Sequence, residues 1–278
     1  MILISGASGF LGSYITKILN NQNIEYLVLS KNKYISHNKT CNYIYFNIES
    51  DSLTSKLNIL NKYNLDSFLH LAWNNLDDFS SINHLEQVEN HFQLIKYVIN
   101  KGVKNILVAG TCLEYGKEGG PFDEKSVPNP FTNYAIAKNN LRIKLEQLQK
   151  RINFNLIWFR IFYIYGKGQR ENSLFSSLEN AIQRNEKTFT LTASDNIYDF
   201  IDVSDAAQMI MQLLKIKNNL GIINICSGKG TKVINLANDI KKLFNSDIKF
   251  IIKTKASDKK NINISMIGSC NKYRTIIS

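Results

Sequence analysis

The sequence predicts an α/β fold built on a doubly wound parallel sheet, with a smaller C-terminal α/β part. Short apolar runs rich in β-branched residues alternate with longer segments of helical periodicity, which is typical of parallel strands joined by crossover helices. This rhythm shortens after residue 165, although no linker composition marks the change. We therefore divide the chain into residues 1–165 and a second part, residues 166–278, that shares an extensive interface with the first.

The first part contains the apolar runs expected as the strands of the main sheet. Buried parallel strands are nearly continuous apolar runs, and the periodic segments between them are long enough to serve as the crossovers that parallel pairing requires. The predicted strands are 2–5, 24–30, 42–46, 67–71, 104–110 and 154–162. The predicted helices are 11–20, 53–62, 80–101 and 131–151.

The second part contains shorter elements of both kinds. Its size and its position after the main sheet indicate a substrate-binding appendage rather than a second independent unit. The predicted strands are 188–191, 197–201, 222–225 and 248–252. The predicted helices are 173–185, 204–216 and 231–245.

The composition is that of a globular protein. Among 278 residues, 44% are hydrophobic and 21% are charged, and no low-complexity tract interrupts the chain. The N-terminus is apolar from its first residue and lacks a basic leader, and no run approaches the roughly 18 apolar residues that suggest a membrane span. We therefore expect a cytoplasmic protein with no membrane association.

The net charge bears on the class of partner, and the histidines and cysteines bear on metal sites and disulfides. The formal net charge of +11 attracts anions of any kind, but the lysines are scattered along predicted helix faces. This favours an anionic small substrate over nucleic acid. His84 and His91 have no accompanying carboxylate cluster, so no metal site is expected. The cysteines are far apart in the sequence and are expected to be reduced, packed thiols; they are Cys41, Cys112, Cys226 and Cys270.

A glycine-rich turn joins the first strand to the first helix. Gly6 allows the tight turn, Gly9 lets backbone N–H groups approach a pyrophosphate, and Gly12 lets the helix pack close to the strand. The helix N-terminus then presents N–H donors and a partial positive charge to the phosphates. This context predicts a dinucleotide site in a Rossmann-type sheet. The predicted contacts from the turn are Gly6, Ser8, Gly9, Phe10, Leu11 and Gly12.

The end of the second strand bears on which dinucleotide is bound. An acidic residue there would hold the adenosine ribose 2′-OH of NAD, but the chain has Ser30 and Lys31, with Lys33 nearby. A hydroxyl and an ammonium could bind a 2′-phosphate, so we expect NADPH to be preferred, with NAD as the alternative. The two residues could also simply begin a polar loop.

Tyr134 and Lys138 are one helical turn apart on a predicted helix, so they lie on the same face. Such spacing alone is more often a surface pair than a catalytic one. Here it follows the fifth strand, which ends at Thr111, and ligands bind at strand ends in open α/β sheets. The three residues are therefore candidates for catalysis.

Several segments together resemble the extended short-chain dehydrogenases/reductases of the NAD-dependent epimerase/dehydratase type. The resemblance covers nearly the whole chain, in the order and spacing of that family. The segments are Gly6–Gly12, His70-Leu71-Ala72, Thr111 before Tyr115-Gly116, the Tyr134/Lys138 pair, Arg160–Gly166, Tyr198–Asp205 and Asn224–Gly228.

The resemblance implies roles for individual residues. Tyr134 would be the general acid/base, Lys138 would bind the nicotinamide ribose and lower the tyrosine pKa, and Thr111 would hydrogen-bond the reacting oxygen. It also implies a homodimer, formed through the helix over residues 81–100. Further cofactor contacts would be Asn47, Ile48, Leu71, Ala72 and Phe162. Substrate contacts would be Trp73, Cys112, Leu113, Arg170, Ser173 and Leu174.

The residues after Thr111 bear on the reaction type. Dehydratases of this family have an acidic pair there, whereas this chain has Cys112 and Leu113. The resemblance is to reductases of dTDP-linked 4-keto-6-deoxyhexoses, although reductases acting on CDP- or GDP-linked sugars share the pattern. A nucleotide-sugar 4-epimerase with bound NAD stays open as an alternative. So does a dinucleotide-binding regulator without chemistry, because fold alone does not imply activity.

Other polar residues receive structural interpretations. Glu114 is expected to pair locally or to point away from Thr111, and His70 to be structural or adjacent to the cofactor. Tyr198 stands where many relatives have arginine and is not assigned to phosphate binding. The C-terminal stretch 257–278 is unlike the family and is a candidate for reshaping the sugar pocket. Arg184 and Lys187, with Arg170, are diphosphate candidates by charge and region only.

Overall fold

The computed structural model describes residues 1–32, 41–50, 56–117, 119–253 and 265–278. The strands are β1 Ile2–Ser5, β2 Tyr26–Ser30, β3 Cys41–Tyr45, β4 Ser67–His70, β5 Asn105–Thr111, β6 Gly119–Phe122, β7 Asn155–Ile161, β8 Tyr163–Tyr165, β9 Thr188–Thr192, β10 Ile197–Asp202, β11 Gly221–Ile225, β12 Gly230–Lys232, β13 Lys249–Lys253 and β14 Ser265–Gly268. The α-helices are α1 Phe10–Asn21, α2 Asn83–Glu86, α3 Val88–Asn100, α4 Asn133–Gln149, α5 Leu174–Gln183, α6 Val203–Lys215, α7 Val233–Leu243 and α8 Asn271–Ile277. Short 3-10 helices cover Asn58–Lys62 and Cys112–Tyr115.

The described strands β11, β7, β5, β4, β1, β2 and β3 form, in that order, a parallel sheet. The order reverses direction between β1 and β4, and this switch point opens a crevice at the carboxyl ends of the strands. The predicted doubly wound Rossmann-type sheet is confirmed.

Side chains alternate along the strands between the two helical layers. Ile2 and Ile4 of β1 pack in the core beneath α1 and α6, whereas Leu3 packs in the core beneath α3 and α4. This alternation follows from the two-residue period of a strand. Because both faces are covered, the strands are apolar throughout, which is why the sequence shows runs rather than alternation.

The second part of the chain contains two smaller sheets. One has the order β12, β10, β14 and β6, with β8 paired to β10, and the other is the parallel pair β9 and β13. Helices α5 and α7 pack on β9 through an apolar core that includes Phe175, Leu178 and Leu236. The chain returns to the large sheet through α6 and β11, so the division after residue 165 follows the sheets only in part.

Most predicted elements occur within a few residues of their expected bounds, but some differ. The predicted helix 80–101 is broken at Gln87 into α2 and α3. Of the predicted helix 53–62, residues 53–55 lie outside the described residues and 58–62 form a 3-10 helix. The strands β6, β8, β12 and β14 and helix α8 were not predicted. Strand β6 reads Gly119-Gly120-Pro121-Phe122, a composition that strand propensity does not favour.

Three general expectations concern membrane-spanning helices, metal sites and the cysteines. No helix in the described residues is long and apolar enough to cross a membrane. Across the same residues no cluster of three or more His, Cys, Asp or Glu side chains is arranged to hold a metal ion. The four cysteines are free, and Cys112, Cys226 and Cys270 are buried.

Candidate active site

A cleft of about 650 Å³ opens at the carboxyl ends of β1, β2, β4, β5 and β7. Its lining includes every residue that the sequence analysis assigned to the cofactor. It also includes the three catalytic candidates Thr111, Tyr134 and Lys138. The parallel sheet explains the convergence, because it brings the carboxyl ends of its strands to one edge.

The glycine turn forms one wall of the cleft and tolerates no side chain at two positions. Gly6 has φ +78°, and a Cβ there would lie 2.6 Å from the Ala72 backbone nitrogen. A Cβ on Gly12 would lie 2.2 Å from the Gly6 carbonyl oxygen. Helix α1 begins after Gly9 without a side-chain cap, so its first N–H groups face the cleft as donors for a phosphate.

The adenosine end of the cleft differs from the sequence interpretation. Lys31 Nζ donates a hydrogen bond to Asn74 Oδ1 at 2.9 Å, and Asn74 Nδ2 donates to Glu49 Oε1 at 2.5 Å. Ser30 Oγ accepts from the Asn32 backbone N–H at 3.2 Å. Lys33 lies outside the described residues. Strand β2 itself ends without a carboxylate. The carboxylate of Glu49, which follows β3, is nevertheless linked to Lys31 through the Asn74 side chain.

Helix α4 carries Tyr134 and Lys138 into the cleft. The Thr132 hydroxyl caps this helix by accepting the Ala135 backbone N–H at 3.2 Å. Lys138 is only 2% exposed, and its ammonium donates to the Ala109 carbonyl oxygen at 2.8 Å. Lys138 Nζ lies 6.0 Å from the centre of the Tyr134 ring. The two side chains share one face, as their spacing predicts.

The electrostatics of this pair differ from the expectation that Lys138 lowers the tyrosine pKa. Burial raises the pKa of Tyr134 well above its usual range, and the Glu114 carboxylate raises it further, whereas the Thr111 hydroxyl opposes the change. Burial also lowers the pKa of Lys138 to about 7, against the opposite influence of Glu114. Desolvation is therefore the largest influence on the pKa of both residues, and it pushes each toward its uncharged form.

Thr111 ends β5 and begins the 3-10 helix Cys112–Tyr115. Its hydroxyl accepts the Leu113 backbone N–H at 3.3 Å, and its own backbone N–H donates to Glu114 Oε1 at 2.9 Å. This reciprocal pair is a capping box. It fixes the Thr111 side chain at the floor of the cleft, beside Tyr134.

Glu114 is fully buried beneath the cleft and pairs locally. Its carboxylate accepts from Arg160 Nε at 2.9 Å and from Trp158 Nε1 at 2.9 Å, in addition to the Thr111 N–H. Arg142 Nε lies 3.8 Å away. Glu114 thus anchors the catalytic strand end to β7, and its charge is balanced by arginine.

The substrate side of the cleft contains four of the six predicted contacts, namely Trp73, Cys112, Leu113 and Arg170. Arg170 Nη1 donates to the Leu76 carbonyl oxygen and lies 3.3 Å from Asp77 Oδ1. Arg170 is therefore held across the cleft mouth by the loop that follows β4.

Four other candidates do not line the cleft. The Ser173 hydroxyl instead caps α5 by accepting the Ser176 N–H at 3.2 Å, and Leu174 packs against the core of the second part. Arg184 ends α5 and Lys187 precedes β9, both away from the lining. The start of α5 thus uses Ser173 for its cap and Leu174 for packing.

Sequence reasoning missed three aromatic residues of the lining, namely Phe46, Phe79 and Tyr163. Phe79 stacks on Tyr134 with the ring centres 4.8 Å apart, and Tyr163 lies 4.4 Å from the Tyr198 ring. Phe79 lies in an irregular loop with no motif to indicate it. Tyr163 lies within the quoted Arg160–Gly166 segment and could have been assigned with its neighbour Phe162.

The described end of the C-terminal stretch has a structural role. Met266 of β14 and Cys270 pack in one buried cluster with Cys112 and Phe162. Cys112 and Phe162 line the cleft, whereas Met266 and Cys270 lie beneath it. A Cβ on Gly268 would lie 2.7 Å from the Phe162 ring. Residues 257–264 of that stretch lie outside the described residues. The stretch therefore supports the floor of the site from below.

Residues 2–226 match the NAD dependent epimerase/dehydratase family. The chain belongs to this family. It is 32% identical over 231 residues, covering 82% of this chain and 84% of the relative, to a dTDP-6-deoxy-L-talose 4-dehydrogenase (NAD(+)) from Aggregatibacter actinomycetemcomitans. It is 27% identical over 244 residues, covering 84% of this chain and 76% of the relative, to a GDP-6-deoxy-D-talose 4-dehydrogenase from the same organism.

Solved structures of family members share the fold. A UDP-glucose 4-epimerase from Thermotoga maritima with UDP-glucose matches at a TM-score of 0.84 and 20% identity, covering 99% of this chain and 91% of that one. A UDP-glucose 4-epimerase from Thermus thermophilus in complex with NAD matches at 0.81 and 17% identity, covering 99% and 92%. At these identities the likeness establishes architecture and not substrate.

Proposed function

We propose that this protein reduces the 4-keto group of a nucleotide-linked 4-keto-6-deoxyhexose, with dTDP as the carrier, or catalyses the reverse oxidation. The observation that carries the proposal is the convergence of Thr111, Tyr134 and Lys138 on one cleft beside the glycine turn. A binding-only protein has no need for a proton donor at this position. The +11 charge suits a substrate that carries a diphosphate.

The cradle at Gly6 and Gly12 fits a dinucleotide, because a Cβ at either position would overlap backbone atoms. A nicotinamide dinucleotide held there would supply the hydride for the reduction. Tyr134 donates its phenolic proton to the former keto oxygen, and the Thr111 hydroxyl donates a hydrogen bond to that oxygen. The ammonium of Lys138 then stabilises the phenolate, which regains its proton from solvent.

The two residues after Thr111 argue against dehydration. Removing water from the sugar ring requires an acid and a base on either side of the leaving hydroxyl. Leu113 cannot transfer a proton, and burial raises the pKa of the Cys112 thiol far above its usual range. The site therefore retains one proton-transferring group at the sugar, which suffices for a keto/hydroxyl interconversion.

The relative named a dTDP-6-deoxy-L-talose 4-dehydrogenase supports this chemistry, since oxidation of a 4-hydroxyl is the reverse of the proposed reduction. The alternative is a 4-epimerase that keeps NAD bound. The structural likeness to UDP-glucose 4-epimerases favours it on fold alone. The two differ in whether the dinucleotide leaves after each turnover.

The preference for NADPH over NADH is the finer part of the proposal. In its favour, Ser30 and Lys31 line the adenosine end of the cleft and β2 ends without a carboxylate. Against it, Lys31 must leave Asn74 to bind a 2′-phosphate, and the relative named above uses NAD(+). We expect Ser30→Asp to shift the ratio of NADPH to NADH turnover toward NADH, because a carboxylate repels the 2′-phosphate. An unchanged ratio would remove Ser30 from cofactor discrimination.

The test of function is oxidation of NADPH and NADH by the purified protein with dTDP-, CDP- and GDP-linked 4-keto-6-deoxyhexoses, with products identified by NMR. Oxidation of NADPH or NADH in the presence of one of these sugars supports a 4-reductase. The sugar used identifies the nucleotide carrier, and the product identifies the stereochemistry. Interconversion of ordinary nucleotide sugars without net oxidation would replace it with the epimerase. Tyr134→Phe is the matched control: we expect turnover to fall by about 10²–10⁴ while dinucleotide affinity is kept. Unchanged turnover in this variant would exclude Tyr134 as the acid.

We also propose a cytoplasmic location.

We further propose a homodimer that pairs α3 and α4 with the same helices of a second copy. The outer surface of these helices carries Ile143, which is 37% exposed, beside the Lys144–Glu89 ion pair. Light scattering of the purified protein measures the mass directly. A monomer at micromolar concentration would contradict the dimer.

A further inference from the structure

Three buried histidines lie beside the cleft. Two of them, His84 and His91, stack on Trp73, and His91 is also one of the lining residues. His70 ends β4, His84 lies on α2 and His91 lies on α3, and each is at most 1% exposed. Histidine is seldom fully buried without hydrogen-bond partners. The hydrogen-bond partners of their ring nitrogens therefore indicate which nitrogen carries the proton.

The proton on His84 is assigned by its neighbours. The Trp73 indole N–H can only donate, and it points at His84 Nδ1 from 3.0 Å. The Asp78 carbonyl oxygen can only accept, and it lies 2.9 Å from His84 Nε2. His84 is therefore neutral, with its proton on Nε2, and it holds the indole in one plane.

The other two histidines form a chain with one consistent direction. The backbone N–H of Asn74 points at Gln87 Oε1, which makes this oxygen an acceptor, so His91 Nε2 donates to it at 3.2 Å. His91 Nδ1 then accepts from His70 Nε2 at 2.8 Å. His70 Nδ1 in turn accepts from the Ser5 hydroxyl at 2.7 Å.

Burial agrees with neutral rings along this chain. It lowers the pKa of His70 to about 3 and lowers the pKa of His91 well below its usual range, and the Lys138 charge acts in the same direction on both. Both histidines are thus uncharged at neutral pH. They can serve as packing surfaces beside a cation without repelling it.

Trp73 lies between these histidines and Lys138. Its ring stacks on His91 with the centres 4.4 Å apart and the planes at 18°. Lys138 Nζ lies 3.9 Å from the centre of the indole ring, well within the range of a cation–π interaction. The only hydrogen bond found for this ammonium among the described residues is the one to Ala109.

We propose that Trp73 is a positioning residue for Lys138: its indole face holds the ammonium and favours the charged form, and His84 and His91 fix the orientation of the indole. The proposal rests on the proposed function only for the role of Lys138, because the contact itself is a property of the protein alone. The sequence analysis assigned Trp73 to the substrate and interpreted His70 as structural. In the proposal, these residues together position Lys138.

The energetic reason is the burial of Lys138. Desolvation lowers its pKa to about 7, so at neutral pH a small stabilisation decides whether the lysine is charged. The other groups that face it are Glu114, which favours the charge, the neutral rings of His70 and His91, and the phenol of Tyr134. A desolvated cation–π contact with Trp is worth a change of about tenfold or more in the ratio of charged to neutral lysine.

The experiment measures Lys138 by NMR in protein labelled at lysine Cε, with the resonance assigned by its loss in Lys138→Met. We expect its Hε signals to be shifted upfield by the indole ring current. Replacing tryptophan by 5-fluorotryptophan keeps the shape of the ring but withdraws electrons from its face. The Lys138 titration should then move to lower pH, by several-fold in its dissociation constant.

The chain contains two tryptophans, which provides a matched control. In Trp73→Phe only Trp158 is fluorinated, so 5-fluorotryptophan should leave the Lys138 titration of that variant unchanged. His84→Leu, which removes the acceptor of the indole N–H, should reduce the upfield shift while the protein stays folded. The measurement needs no substrate, so it is independent of the sugar that the enzyme uses.

Two results would overturn the proposal. One is an Hε signal of Lys138 without an upfield shift in the unmodified protein. The other is a Lys138 titration that fluorination moves equally in the unmodified protein and in Trp73→Phe, because the effect would then come from Trp158 through Glu114.

Discussion

Replacing Glu114 by glutamine should destabilise the protein strongly, although the change removes only one charge. The Glu114 carboxylate is fully buried and accepts hydrogen bonds from Thr111, Trp158 and Arg160. Both of its oxygens are used. An amide nitrogen in place of either oxygen would face a donor, and Arg160 would remain buried without its counter-charge.

The magnitude follows from the partners. Arg160 is 0% exposed, and its Nη1 and Nη2 have no hydrogen-bond partner among the described residues, so Glu114 is its main compensation. Breaking a buried pair by removing one partner costs about 3–5 kcal/mol. That is a large fraction of the roughly 5–15 kcal/mol by which a typical domain is stable. We expect the free energy of unfolding to fall by about 4 kcal/mol.

The assay is urea unfolding at pH 7 followed by circular dichroism, with Glu89→Gln as the matched control. Glu89 also pairs with a cation, Lys144, at 3.0 Å, but their side chains are 53% and 43% exposed. A pair in solvent contributes about 0–1 kcal/mol. A loss in Glu114→Gln no larger than that of the control would refute the reasoning that burial makes this carboxylate essential.

The remaining predictions concern the turn and the titrating groups. Gly12→Ala should abolish dinucleotide binding or folding, measured by calorimetry, whereas Gly9→Ala, whose Cβ would lie 3.3 Å from the Gly6 oxygen, should lose far less; equal losses would contradict the close approach at Gly12. Lys138→Met should raise the free energy of unfolding at pH 6 by about 1–4 kcal/mol while abolishing turnover, and the gain should shrink as pH rises above about 7, where the native lysine loses its proton; a loss of stability at pH 6 would contradict it. Because His70 is neutral in the folded protein down to a pKa of about 3, its contribution to stability is complete above pH 6.5 and is lost as pH falls toward 3, at about 1.4 kcal/mol per pH unit; His70→Gln should flatten this slope in urea titrations between pH 6 and 4, and an unchanged slope would count against it.

The sequence predicted those features that depend on local order along the chain. The Gly6–Gly12 turn, the core strands and the Tyr134/Lys138 spacing are each contained in a short segment, and the sheet then brings them together at one edge. Only the resemblance connected these segments into a catalytic set, because periodicity alone does not distinguish a catalytic pair from a surface pair.

What the sequence could not predict depends on contacts between distant segments. Glu49 reaches the neighbourhood of Lys31 only through Asn74, which follows a different strand. Strand β14 pairs with β6 although 142 residues lie between Phe122 and Ser265. Neither strand has strong strand propensity. Ser173 was predicted to contact the substrate, but its hydroxyl caps α5 and does not line the cleft.

The burial of Tyr134 and Lys138 bears on the pH dependence of the proposed reaction. Burial raises the pKa of Tyr134 and lowers that of Lys138, so both groups are pushed toward their uncharged forms. A protonated phenol is the form that reduction requires, because Tyr134 must donate a proton to the new alkoxide. Oxidation requires a phenolate instead, which the surroundings make costly unless the Lys138 ammonium is held close. Contacts that keep Lys138 charged, such as the one with Trp73 at 3.9 Å, therefore raise the fraction of phenolate, whereas the desolvation of Tyr134 raises the fraction of phenol. Because a catalyst cannot change the equilibrium of the reaction it catalyses, these contacts set the pH at which the forward and the reverse rates are highest.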